Sequence, residues 1–266
     1  MREELTVLCE ALRRAGARAM QLAADGFETH IKKDRSPVTS ADLEVNRLVQ
    51  EWVSQRFPDD GWLSEELPDN PERLHKQRVW IIDPIDGTKA FIKRLPQFCI
   101  SVGLVQDGRP VLGAIYNPST DELFTAMRGD GARLNDQPIR ATPTASLRPL
   151  ILVSSTELEN GKLAHIVSEA ECQPMNSIAY ALALVADGRV DAAVTYEREN
   201  EWDLAAGTLM VEEAGGLVLD GSGNALLFNR PTPVFQGLMA AGPGAQERVG
   251  LLFQHGRATS ATRPAS

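Results

Sequence analysis

The order of hydrophobic patterns along the chain predicts an α+β first half followed by an α/β second half, with helices layered outside sheets. Three observations carry that class. Apolar residues recur at helical spacing through the first fifty positions, strand-like runs joined by glycine turns follow between about 99 and 131, and helices alternate with strands beyond about Pro143. A chain of 266 residues is long enough for two intimate halves sharing a sizeable core. The division falls at 1–142 and 143–254, and the absence of a repeat or low-complexity linker predicts that the halves pack tightly.

From about Glu3 to Ala24, Leu5, Leu8, Cys9, Leu12, Ala15, Ala19 and Leu22 form one helical face, closed by Asp25-Gly26. A second helix follows Ser36-Pro37-Val38-Thr39, with Val45, Leu48, Val49, Trp52 and Val53 inward, and stops before Phe57-Pro58. Gly61-Trp62-Leu63 is a brief apolar stretch suited to a strand end. Val79 to Ile82 reads as a buried strand, kept short by Pro84, which lacks the N–H a central ladder needs. Cys99–Val105 and Val111–Tyr116 flank the turn Asp107-Gly108, and Leu123–Met127 leads into Gly129-Asp130-Gly131. In the second half the pattern predicts a strand at Ile151–Val153, a helix over Leu158–Glu169 and another over Ser177–Ala186. A strand at Val190–Thr195, a helix over Asp203–Ala214 and a strand at Leu217–Leu219 complete the order.

Composition narrows the function classes. Hydrophobic residues at 43% and charged residues at 24% are those of an ordinary soluble globule, and a formal charge of -9 argues against broad nucleic-acid binding. No apolar run approaches bilayer-spanning length and the N-terminus lacks a signal-peptide shape, which predicts a cytoplasmic protein with no membrane partner. Cys9, Cys99 and Cys172 are scattered singly, as structural thiols in a reducing compartment would be. The small, polar residues 255–266 predict a disordered tail.

The segment Trp80-Ile81-Ile82-Asp83-Pro84-Ile85-Asp86-Gly87-Thr88-Lys89 offers both halves of a phosphoryl site. Two carboxylates end an apolar run and suit a hard cation, while a glycine with exposed amides suits a phosphate oxygen. The ordinary alternative is that Asp83 and Asp86 merely form turns, since Asp-Pro and Asp-Gly are common turn dipeptides. Further carboxylates stand in similar contexts. Glu65 and Glu66 follow Ser64 and read equally well as solvated charge. Asp42 lies three residues after Thr39, the spacing of a helix capping box. Asp203 opens a helix, where capping alone would explain it. Asn176-Ser177 precedes another helix whose first amides could hold an anion, or could simply be capped.

Four segments together resemble the inositol monophosphatase superfamily of magnesium-dependent, lithium-sensitive phosphatases. They are Ser36-Pro37-Val38-Thr39-Ser40-Ala41-Asp42, Ser64-Glu65-Glu66, Asp83-Pro84-Ile85-Asp86-Gly87-Thr88 and Trp202-Asp203-Leu204-Ala205-Ala206-Gly207. The resemblance runs from about Glu3 to Gly250 and implies a layered αβαβα sandwich, a homodimer, and a site between the halves acting on a small phosphorylated substrate. It implies that Glu65, Asp83, Asp86, Asp203 and the Ile85 carbonyl bind two or three Mg²⁺ ions. It also implies that Asp42 and Thr88 pair around the attacking water, with Glu65 as an alternative base, and that Asp86 and the amides of Gly87 and Thr88 meet the substrate. Asn176, Ser177, Glu197 and Asp203 complete the substrate-binding set that it implies.

The substrate is less sharply marked. Thr88-Lys89-Ala90-Phe91-Ile92-Lys93-Arg94 is similar to the 3′(2′),5′-bisphosphate nucleotidase branch, where Lys93 and Arg94 would steer a second phosphate. Asn117-Pro118, Glu122-Leu123-Phe124, Gly131-Ala132 and Asn135 resemble the inositol monophosphatase branch instead, in which Glu197 would contact sugar-alcohol hydroxyls. Asn176 replaces the family's usual glycine, and Arg198 is a candidate for a second anionic group. The inositol monophosphatase reading leads, followed by the nucleotidase. A histidinol-phosphate phosphatase and a non-catalytic binding protein keeping the fold stand as further alternatives.

Overall fold

The computed structural model describes residues 1–143, 145–161 and 163–261. Helix α1 (Arg2–Asp25) is followed by the hairpin β1 (Thr29–Ile31) and β2 (Pro37–Thr39), then by α2 (Ser40–Ser54). Strands β3 (Gly61–Ser64) and β4 (Arg78–Asp86) lead to the short helix α3 (Thr88–Ile92). The meander follows as β5 (Cys99–Gln106), β6 (Arg109–Asn117), β7 (Glu122–Met127), β8 (Gly131–Leu134) and β9 (Gln137–Ile139). Beyond it come β10 (Leu150–Ser154), α4 (Ser155–Glu159), α5 (Ala164–Val167), β11 (Glu171–Met175) and α6 (Ile178–Ala186). The chain closes with β12 (Ala192–Asn200), α7 (Glu201–Glu213), β13 (Leu217–Asp220), β14 (Val234–Ala241) and α8 (Gln246–Ala261).

Strands β3 to β9 form one seven-stranded sheet in chain order, antiparallel except for the parallel β3–β4 pair. The second sheet has the order β11-β10-β12-β14-β13. Five layers result, an αβαβα sandwich. Leu8, Leu12, Ala15, Val45, Val49 and Val53 of α1 and α2 pack on one face of the larger sheet, against Trp80, Ile82, Val102 and Leu104. Helices α6 and α7 fill the space between the sheets, with Ile81 on one side and Ala193, Leu238 and Ala240 on the other. On the far face of the smaller sheet, Leu163, Ile166, Val249 and Phe253 meet Ile151, Val194 and Met239. The middle layer explains why α6 is apolar throughout and α7 is apolar from Leu204 to Val211 except at Thr208: both of their faces are buried, so no amphipathic stripe is needed.

Close approach of α7 depends on two glycines. Gly103 and Gly113 are cross-strand partners on β5 and β6. A Cβ on Gly103 would come within 3.0 Å of the Ala205 methyl, and one on Gly113 within 3.0 Å of the Ala206 Cα. Their bare surface lets α7 sit directly on the sheet.

Several expectations are corrected. The Trp80 strand does not stop at Ile82 but runs through Pro84 to Asp86, because a bulge absorbs the proline. Asp83 pairs with Ser101 and Asp86 with Cys99, so Pro84 and Ile85 together oppose Ile100 alone. The helix expected over Leu158–Glu169 is two short helices, interrupted at Asn160-Gly161, where Gly161 has φ +67°. Strands β8, β9, β11 and β14 lie where no strand was expected. The backbone remains helical to Ala261, where an irregular tail was expected from 255; the rest of that tail lies outside the described residues. No helix among the described residues is long and apolar enough to cross a membrane.

Candidate active site

The bulge in β4 creates the site. In a regular strand, residues three apart face opposite sides, so Asp83 and Asp86 would diverge. With one extra residue between them, both lie opposite residues of β5 that share a face, Ser101 and Cys99. Both carboxylates therefore turn toward the middle helices. Asp203, at the third position of α7, completes the cluster. Ligand oxygens of Asp83, Asp86 and Asp203 all lie within 4.8 Å of one another.

Each carboxylate is held by its own donors. Asp83 Oδ1 accepts the Ile85 N–H at 2.9 Å, so this residue does form the turn that the simpler reading proposed. Asp86 Oδ2 accepts the Ser177 hydroxyl and the Ala179 N–H, both at 2.7 Å. The anion held at the start of α6 is thus a side chain of the protein, while Ser177 also caps the helix by accepting the Tyr180 N–H at 3.0 Å. Asp203 is not the cap of α7. Asn200 is, and Asp203 Oδ2 accepts its N–H at 2.8 Å in a capping box.

Asp42 serves two purposes. Its Oδ2 accepts the Thr39 N–H at 2.8 Å and the Thr39 hydroxyl at 2.6 Å, fixing the first turn of α2. Its Oδ1 lies 3.2 Å from Thr88 Oγ1, a hydroxyl that also has the Ile85 carbonyl at 3.1 Å as an acceptor. Thr88 opens α3 directly after Gly87, whose φ of +92° is a left-handed conformation. A Cβ there would lie 2.7 Å from the Gln97 carbonyl and 3.2 Å from that of Asn176, so only glycine fits. The Asn176 amide group donates to Gln97, and its carbonyl lines the same crevice.

Glu65 stands beside the three aspartates rather than among them. Lys32 donates to Glu65 Oε1 at 2.7 Å and to Glu66 Oε1 at 2.6 Å, tying the β1–β2 hairpin to the site. Electrostatics follow from this crowding. Burial, then the charge of Asp86 and Glu65, raises the Asp203 carboxyl to about 8. Burial raises Asp86 to about 7 against the pull of Ser177 and Ala179. Asp83, buried beside Glu65, Asp86 and Asp203, is pushed well above the carboxylate range. Burial also raises Asp42.

The structure places Glu197 half-buried on β12, its N–H donating to Thr195 Oγ1 at 3.1 Å. A residue not singled out in the sequence is Glu199, two positions on. Its carboxyl is pushed well up, first by burial and then by the charges of Asp203 and Asp86. A bulge between Thr195 and Arg198 re-aims the end of β12, so strand parity gives no hint of this placement. Lys93 and Arg94 are exposed on the turn after α3, as is Arg198 on β12.

Such a crowd of carboxylates, arranged around a hydroxyl and a glycine turn, can hold hard cations against a phosphate group. Known proteins share the arrangement's frame. The model of the inositol monophosphatase family matches residues 1–255. Inositol monophosphatase 2 of Solanum lycopersicum is 34% identical over 241 residues, covering 84% of this chain and 89% of the relative. The 3′(2′),5′-bisphosphate nucleotidase CysQ of Escherichia coli O157:H7 is 32% identical over 227 residues, covering 84% of this chain and 92% of the relative. The solved structure of extragenic suppressor protein suhB from Bartonella henselae superimposes with a TM-score of 0.84 at 29% identity, covering 94% of this chain and 98% of that one. With a family match over almost its whole length, the chain belongs to the inositol monophosphatase family of phosphatases.

Proposed function

We propose that the chain is a Mg²⁺-dependent, Li⁺-sensitive phosphomonoesterase of the inositol monophosphatase type. The observation that carries this reading is the convergence of Asp83, Asp86 and Asp203 oxygens within 4.8 Å, with Thr88 and Asp42 alongside. The donor set is oxygen only, which suits Mg²⁺ over softer metals. Packing these carboxylates together, with burial raising all three, is costly unless cations offset the repulsion. Glu65, Asp83, Asp86, Asp203 and the Ile85 carbonyl would hold the ions. When bound, they lower the pKa of the attacking water and neutralise charge on the phosphoryl group.

The chain's own groups supply position and proton handling. Asp42 accepts the Thr88 proton, which leaves the Thr88 oxygen free to accept a hydrogen bond from water and orient it in line with the phosphorus. Glu65 is the second candidate base. The amides of Gly87 and Thr88 meet phosphate oxygens, and Asn176 and Glu197 border the ester group. Ser177, expected to bind substrate, is buried and acts instead through the Asp86 carboxylate it donates to.

The 3′(2′),5′-bisphosphate is the second reading, favoured by Lys93 and Arg94. Both are exposed directly after α3, and neither makes an ion pair among the described residues. Phosphate release with Mg²⁺, with and without Li⁺, distinguishes the two on inositol 1-phosphate, 3′-phosphoadenosine 5′-phosphate and histidinol phosphate. Preference for inositol phosphate supports the first reading; preference for the bisphosphate replaces it. Failure to turn over any of them leaves a binding protein. A homodimer belongs to the same proposal, and light scattering after gel filtration checks it.

A further inference from the structure

Beneath the three aspartates lies a hydroxyl that no group among the described residues uses. Ser101, on β5, is fully buried and its Oγ has no hydrogen-bond partner among the described residues. Leaving such a group unpaired costs free energy, so its retention asks for an explanation. Register places it. Ser101 is the cross-strand partner of Asp83, and directly opposed residues project to the same face with Cβ atoms about 5 Å apart. Its neighbours on that face confirm the direction. Two residues before it, Cys99 Sγ lies 3.5 Å from Ser177 Oγ at the start of α6. Two residues after it, Gly103 faces Ala205 and Ala206 in the first turns of α7. The Ser101 side chain therefore sits between the starts of the two helices that frame the aspartate cluster.

The carboxylates differ in what supports them. Asp86 accepts two hydrogen bonds on Oδ2, from Ser177 and Ala179. Asp203 also accepts two on Oδ2, from the Asn200 N–H and its side-chain amide. Asp83 accepts one N–H, from Ile85, and otherwise meets only a fellow acid, the Asp203 carboxyl. Carboxylates that ligate a metal are generally oriented by a second shell of donors. Asp83 has a single donor from outside the acid cluster, and its cross-strand partner is a hydroxyl with no hydrogen bond among the described residues.

We propose that Ser101 is a positioning residue for the cation site, donating its hydroxyl proton to the Asp83 carboxylate once that carboxylate binds a cation. The inference rests on the reading of the cluster as a metal centre. It makes the serine a group left unsatisfied without the ion and satisfied with it, which biases the Asp83 rotamer toward ligation.

Thermal melting against Mg²⁺ concentration, without substrate, tests the idea. Ser101→Ala removes an orphan, so the metal-free melting temperature stays level or rises, while the Mg²⁺ midpoint rises about tenfold, as loss of an outer-shell partner does elsewhere. Thr208→Val is the control. It removes another buried hydroxyl without a partner, on α7, and leaves the Mg²⁺ midpoint unchanged. Ser101→Cys leaves a slightly larger side chain with a weaker donor and gives an intermediate midpoint, which retains the test if the alanine variant does not fold. A Ser101→Ala midpoint equal to wild type overturns the proposal, as does a fall in metal-free melting temperature with that midpoint unchanged. If wild type itself shows no Mg²⁺-dependent rise in melting temperature, the metal-centre reading falls and the proposal falls with it.

Discussion

Asp203 shows how one side chain can be tested for two roles. Its Oδ2 accepts the Asn200 N–H at 2.8 Å, and an asparagine carbonyl oxygen can do the same. Asp203→Asn should keep the helix cap while removing a charge from the cluster. Phosphatase activity should fall by more than about 100-fold, beyond the usual effect of losing an outer-shell partner. The metal-free melting temperature should rise, because the fold no longer has to hold a carboxyl raised to about 8 by burial and by Asp86 and Glu65. A variant with normal kcat would remove Asp203 from the site. Lys32 makes the opposite case. Its ammonium occupies Glu65 and Glu66 at 2.7 and 2.6 Å, where it competes with any cation for Glu65. Lys32→Met should lower the Mg²⁺ midpoint in substrate-free melting, and an unchanged or higher midpoint would show that the pair does not compete.

At the scale of elements, the site is assembled by a bulge and two helix starts. Ser177 joins them, capping α6 while donating to Asp86. Ser177→Ala should cost about 1 kcal/mol of stability as a lost cap. It should also weaken Mg²⁺ binding, because Asp86 then loses a donor. Calorimetric unfolding with and without Mg²⁺ separates these effects. The distance of α7 from the large sheet is equally open to test. A methyl on Gly103 would lie 3.0 Å from that of Ala205. Gly103→Ala should destabilise the fold by about 1–3 kcal/mol, as overpacking does. It should also lower kcat by moving Asp203, which rides on the same helix. Wild-type urea midpoint and kcat together would mean that the interface yields without disturbing the site.

At the scale of the whole molecule, the acid cluster couples stability to pH. Folding raises Asp86 from 3.8 to about 7 and Asp203 from 3.8 to about 8. Between those limits the folded state holds more protons than the unfolded one, so raising the pH removes stability. The metal-free melting temperature should therefore decline from about pH 5 to about pH 8. Saturating Mg²⁺ should flatten the decline, since the cation takes the place of the protons. Melting curves at several pH values with EDTA or Mg²⁺ give the comparison, and a metal-free profile rising over this range would contradict the linkage.

Local chemistry in the sequence determined the long helices, the meander, the layered class and the aspartates worth testing. Each depends on periodicity, on turn residues such as Asp107-Gly108, or on a short motif. The cap at Thr39 was legible for the same reason, because its partner Asp42 lies three residues away. Elements without such a local signal were missed, among them β11, whose residues Glu171 to Met175 are exposed or half-buried and show no strand alternation. The tertiary structure alone decided how the carboxylates converge. The β4 bulge exists only through pairing with β5, and it turns Asp83 and Asp86 to one face despite a spacing that would part them. Likewise, the occupation of the α6 amides by Asp86, the reach of Lys32 to Glu65 and the burial of Glu199 beside Asp203 join residues far apart in the chain or re-aimed by a bulge. Side-chain identity and near-neighbour spacing are written in the sequence, whereas register, bulges and the approach of one layer to another arise only when the layers pack.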